Sequence, residues 1–145
     1  MTEIARRYRW MLLGAIVAAA GIAVGVRLVR GPAGDLAGTR WALVSLYGQP
    51  PIPGSGPITL EFESGGRAGG DSGCNSYGAT YVARRSALSI TDVVSTLRAC
   101  VDPRLNDQEA AYLGAPAVVA SYGMEGDRLI LRDAGGADVL VLTRA

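Results

Sequence analysis

Cys74 and Cys100 are the two thiols of this 145-residue chain, and no histidine accompanies them. A cysteine nucleophile needs a nearby base or a helix N-terminus to lower its pKa; without one the thiol stays near about 8.5 and mostly protonated. Cys74 stands in Gly73-Cys74-Asn75, a turn-like tripeptide that could expose it. The missing histidine, however, removes the usual Cys-His and Ser-His pairs together with the commonest general base. His-ligated zinc is excluded on the same ground, and two cysteines are too few for an all-Cys structural zinc site. Asp71, Asp92 and Asp102 lack the spacing of a calcium loop. Gly69-Gly70-Asp71-Ser72-Gly73 resembles a phosphate cradle in composition only: no Lys-Ser/Thr pair ends it, so it reads as a glycine-rich β connection. Asn75 reads as bonding backbone at a turn. Glu109 reads as an exposed charge pair with Arg104 or Arg98, worth under about 1 kcal/mol. No catalytic residue, metal or cofactor is expected, and a Cys74-dependent enzyme stands as the rival reading.

The elements that would position these residues begin with an apolar run at residues 10–26 that carries no charge. As a helix it spans about 25 Å, at the short end of a bilayer's roughly 30 Å hydrocarbon core, and Arg27 can extend that reach by snorkelling. Tyr8 and Trp10 sit where interfacial aromatics are favoured. A cleaved secretory signal is the alternative, since cations precede the run and Ala18-Ala19-Ala20 supplies small residues; the run continues past those alanines without a small-x-small site at its end. The expected organisation is a cytoplasmic segment at residues 1–9, a single-pass membrane anchor at 10–26, a linker at 27–35 in which Gly31-Pro32-Ala33-Gly34-Asp35 marks the boundary, and one domain at 36–145. Three Arg precede the run and two follow it, which places the domain outside the cytoplasm. Net charge is +1 with five Arg clustered around the run, so the domain itself is of mixed sign and slightly acidic. Nucleic-acid binding needs clustered cations and is not expected.

Within the domain, alternation and turn residues predict short strands. Residues 41–47 put Trp41 in the core with Leu43 and Ser45 on its face, and 58–63 alternate Ile58, Leu60 and Phe62 inward. Further strands are predicted at 77–82, 87–90, 128–132 and 139–143, the last two joined through Asp133-Ala134-Gly135-Gly136 as a hairpin. Asp102 can cap a helix with Pro103 in its first turn, and Leu105, Tyr112 and Leu113 share its face. Gly114 and Pro116 end or kink that helix, leaving 118–124 as a turn or a strand. About eight short β segments and one helix predict a mainly β (α+β) fold: a small antiparallel β-barrel-like meander with one packed helix, preceded by the transmembrane helix.

Leu36-Ala37-Gly38-Thr39-Arg40-Trp41-Ala42-Leu43, the apolar strand at 58–62, Gly73-Cys74-Asn75, and the segment from Thr96 through Cys100, Asp102 and Pro103 to Glu109 resemble, in order and spacing, the signatures of the META/HslJ-like domain family. The resemblance covers residues 36–145. It implies a small antiparallel barrel with a packed helix, exported or membrane-tethered, connected in relatives with heat shock, stress tolerance, drug resistance or virulence, and without established catalytic residues. It carries Gly38, Trp41, Gly73, Cys74, Asn75, Tyr77, Thr96, Cys100, Asp102, Pro103 and Glu109 as structural positions. Because both cysteine positions recur together in the family, and exported domains favour disulfides, a Cys74–Cys100 bridge is expected, with two free buried thiols as the alternative. The function expected is that of a non-enzymatic envelope module: anchored in the membrane through residues 10–26, it binds an envelope protein or small ligand by its barrel surface or mouth. An inhibitor-like plug, with the three prolines among residues 49–56 pre-organising a loop, is the alternative.

Overall fold

The computed structural model describes residues 35–145, so the expected anchor at residues 10–26 lies outside the described residues. Among the described residues no helix is long and apolar enough to cross a membrane. The chain forms eight antiparallel strands closed into a barrel in sequence order. They are β1 (Thr39–Leu46), β2 (Thr59–Phe62), β3 (Arg67–Asp71), β4 (Ser76–Arg84), β5 (Ala87–Ser95), β6 (Val119–Glu125), β7 (Arg128–Asp133) and β8 (Asp138–Arg144). β1 and β8 close the barrel from Trp41 opposite Arg144 to Leu46 opposite Leu140, which removes a free edge that would otherwise template aggregation. Helix α1 (Pro103–Gly114) and a 3-10 turn (Ala115–Val118) are inserted between β5 and β6. That seam is correspondingly thin, with one ladder pair, Ala87 opposite Ser121.

Alternation fills the interior with side chains. Trp41, Phe62, Tyr112, Leu129, Leu131, Leu140 and Leu142 are all less than 3% exposed, and each such burial contributes on the order of 1.5–3 kcal/mol. Ile58, Leu60 and Phe62 all point inward, as their spacing predicts. In β1 the register shifts between Leu43 and Ser45, so Leu46 rather than Ser45 faces the core. A bulge of one residue flips the face of everything after it, and alternation alone cannot foresee it.

The glycine-rich stretch is the larger departure. Residues 67–71 form β3 instead of a connection. A side chain on Gly69 would stand 2.6 Å from the Tyr77 carbonyl, and one on Gly70 would collide with the backbone and hydroxyl of Thr59. Glycine is there because two neighbouring strands approach too closely for a Cβ, and its low strand propensity disguises the element. The expected helix is present, with Asp102 as cap accepting from Arg104 N at 2.9 Å and Pro103 in the first turn.

Candidate functional site

Strand direction sends residues 47–58, 72–75, 96–118 and 134–137 to one end of the barrel, and α1 lies across that end. Its inward residues are Leu105, Glu109 and Tyr112, spaced i, i+4, i+7, with Glu109 and Tyr112 buried. Tyr112 plugs the barrel: its hydroxyl and that of Tyr77 lie 2.8 Å apart, and both donate toward the Thr59 carbonyl at 2.9 Å. Burial pushes both phenols well above their ordinary pKa, so they stay protonated donors.

Glu109 is 7% exposed and is not a surface ion pair. Its Oε1 accepts from Ser72 Oγ at 2.5 Å, Asn75 N at 2.9 Å and Cys74 N at 3.3 Å, while Oε2 accepts from Asn75 Nδ2 at 2.7 Å. Arg104 pairs instead with Asp102, and Arg98 donates to the Cys74 carbonyl. The expected exposed pair fails because helical spacing turns Glu109 onto the Leu105–Tyr112 face, where the 72–75 turn supplies donors. Burial opposes its ionisation, but the hydrogen bonds from Ser72, Asn75 and Cys74 outweigh that and hold the carboxyl below its ordinary value. A carboxylate so stabilised is a poor general base; it fastens the helix to the turn.

Asn75 extends the fastening. Its Oδ1 accepts from Thr96 Oγ1 at 2.8 Å and Arg98 N at 2.7 Å, and its Nδ2 also donates to the Arg98 carbonyl at 2.8 Å. Asn75 therefore serves backbone, as expected, and side chains as well. Cys74 and Cys100 are joined in a disulfide with Cα atoms 5.6 Å apart. In this state Cys74 is no nucleophile. The motif residues Gly73, Cys74, Asn75, Tyr77, Thr96, Cys100, Asp102, Pro103 and Glu109 thus converge on the capped end. Gly38, with φ +76, immediately precedes β1 at the other end and donates its N–H to the Phe62 carbonyl at 2.6 Å, while Trp41 is core.

Beside this cap runs an apolar groove of about 450 Å³, lined by Leu46, Tyr47, Pro50, Ile52, Gln108 and Ala111, with Arg104 and Asp107 at its rim. One wall is the proline-rich segment at residues 49–56, pinned to α1 where Ile52 N donates to Gln108 Oε1 at 2.6 Å. The other is α1 itself. Leu46 and Gln49 close a tight turn whose central residues, Tyr47 and Gly48, have φ +48 and +77. Positive φ at both positions suits Asn-Gly or Gly-Gly; a tyrosine there costs on the order of 1–2 kcal/mol. Tyr47 is 52% exposed, so core burial does not offset that cost.

The META domain family model matches residues 34–145. The chain belongs to the META domain family. Two solved solution structures share this META fold, each with a TM-score of 0.60. One is 20% identical, covering 75% of this chain and 91% of the other; the second, from Burkholderia xenovorans, is 28% identical, covering 76% and 83%. No curated protein matches the chain. Sequence reasoning missed the Glu109 hub, although the 105/109/112 spacing carried the signal. It also missed Tyr47, for which only the Tyr47-Gly48 dipeptide after an apolar run hinted at a hairpin-type turn.

Proposed function

We propose that this META domain is a membrane-anchored, non-enzymatic binding module of the cell envelope, and that its binding site is the groove between the 49–56 segment and α1. Tyr47 is the observation that carries the reading. The Tyr47 N–H bonds the Val139 carbonyl at 2.8 Å as any residue's could, but the bulky side chain is kept in a left-handed conformation while half-exposed at the rim of an apolar groove, and retained strain of this kind concentrates where ligands are held. The groove's volume lies in the range of small-molecule sites, roughly 300–1,000 Å³. Its occupant is an apolar or aromatic group of an envelope component, seated on Leu46, Pro50, Ile52 and Ala111. The interior of the barrel is filled by side chains, which favours a surface site over an internal one.

Location rests on the uncharged run at residues 10–26 and its flanking Arg. The linker enters at the barrel end opposite the groove, so anchoring would hold the groove facing away from the membrane, open to a component of the envelope. Two measurements test the reading. A reporter active only in the cytoplasm, fused after Ala145, should be silent. The fluorescent apolar anion 8-anilinonaphthalene-1-sulfonate should bind the folded full chain and lose about tenfold in affinity in Tyr47→Gly. An active reporter would overturn the location, and unchanged binding in the variant would overturn the site.

A further inference from the structure

Beyond the groove, the geometry points to a second, redox-gated site: we propose that the reduced thiols of Cys74 and Cys100, with the Glu109 carboxylate, bind one zinc-like divalent cation. One donor atom from each of the three residues lies within 4.8 Å of the other two, before any rearrangement. Zinc bound at about 2.3 Å to sulfur and about 2.0–2.2 Å to oxygen places tetrahedral sulfurs roughly 3.8 Å apart. The Cα atoms, 5.6 Å apart, let two released sulfurs reach that separation by side-chain rotation. The carboxylate is prepared as a ligand should be. Ser72, Asn75 and the Cys74 N–H fix its orientation, and Oε2, accepting only from Asn75 Nδ2, keeps a lone pair open. Arg98, donating to the Cys74 carbonyl at 3.2 Å, supplies positive charge beside a site of two thiolates and one carboxylate. Three protein ligands leave the fourth position to water.

The gate is the disulfide. A dithiol reductant delivers two electrons and two protons: the Sγ–Sγ bond breaks, two S–H bonds form, and the reductant closes to its own disulfide. Each thiol then releases its proton to solvent as a sulfur–metal bond forms. A small-molecule disulfide takes the two electrons back by thiol–disulfide exchange: the Cys74–Cys100 bond re-forms, the oxidant leaves as two thiols that take up two protons from solvent, and the cation is released, so metal occupancy reports the redox state around the domain.

The probes are Co²⁺ and Zn²⁺ added separately to the full chain in detergent, oxidised or reduced, with folding followed by circular dichroism. The reduced, folded protein should take up one Co²⁺ with sulfur-to-cobalt charge-transfer absorption and tetrahedral visible bands, and Zn²⁺ should displace it. The oxidised protein should show neither. Cys74→Ser and Cys100→Ser should each abolish the charge-transfer signal of the site, and Glu109→Gln should weaken Co²⁺ by at least about tenfold while leaving two alkylatable thiols. The proposal is overturned if the reduced chain unfolds, if folded reduced protein takes up no stoichiometric Co²⁺, if oxidised protein binds equally, or if folded Glu109→Gln binds with unchanged affinity and spectrum.

Discussion

Replacing Glu109 by alanine should cost about 3 kcal/mol of folding stability. The structure sets the figure. Four donors converge on the carboxylate, but Ser72 Oγ has a second acceptor in the Asn75 carbonyl at 2.8 Å, and Cys74 N is the longest of the four at 3.3 Å. The Asn75 N–H and one Nδ2 proton are left without an acceptor in a residue only 5% exposed, and each buried orphan costs about 1–3 kcal/mol. Glu109→Gln keeps one oxygen but loses the charge and sets an amide NH₂ against Asn75 Nδ2, so about 2 kcal/mol is expected. These are large fractions of a small domain's roughly 5–15 kcal/mol. Urea unfolding at pH 7, with an unchanged m-value, reads both. The pH dependence has a fixed sign. Hydrogen bonds, against the opposing effect of burial, depress the Glu109 pKa in the folded state. Its contribution is therefore complete above the unfolded carboxyl's value, about 4.3, and disappears as pH falls through the lower folded value. The gap between wild type and Glu109→Gln should narrow below about pH 4.3. A Gln variant within about 0.5 kcal/mol of wild type at pH 7, with a parallel acid limb, would refute the hub.

Reduction of the Cys74–Cys100 bond, which spans 26 residues, should remove about 3–4 kcal/mol and lower Tm in a calorimetric scan; an unchanged Tm would mean that the bond does not constrain the unfolded chain. Tyr112→Phe should cost about 1 kcal/mol in denaturant unfolding, because Tyr77 still bonds the Thr59 carbonyl, and ultraviolet titration should find neither buried phenol ionised until the domain unfolds in alkali. Gly70→Ala should lose about 2 kcal/mol or more by thermal melting, since a Cβ there meets Thr59 at a φ of +150. Tyr47→Gly should be neutral or stabilising by up to about 1 kcal/mol, as relief of the left-handed strain is set against glycine's entropy; a marked loss would give Tyr47 a role in folding.

The barrel was legible wherever a strand kept one face dry. Ile58, Leu60 and Phe62 follow from period-two burial, and the β7–β8 hairpin from two short apolar runs either side of a glycine turn. β3 was hidden because its glycines answer to the backbones of β2 and β4 rather than to local propensity. The β5 strand, expected to end at Ile90, continues to Ser95 past Asp92, whose φ of +55 breaks the alternation. The capped end was half legible. Cys74, Asn75, Thr96 and Cys100 were singled out, and Asp102-Pro103 marked the helix start. The meeting of Glu109 with Ser72 spans 37 residues and depends on how α1 crosses the barrel mouth, which no local pattern encodes. The groove is likewise formed by two segments more than 50 residues apart, joined through Ile52 and Gln108.

The central claim is that the groove at Tyr47 is the binding surface, and residue-resolved NMR of the isotope-labelled chain titrated with 8-anilinonaphthalene-1-sulfonate tests it most directly. Saturable shifts should be confined to Leu46, Tyr47, Ile52, Gln108 and Ala111, and in Tyr47→Gly should need about tenfold more ligand while the remaining spectrum is preserved. Shifts centred instead on the opposite mouth, at Leu36, Tyr81 and Tyr122, or a Tyr47→Gly variant that binds as wild type does, would contradict the account.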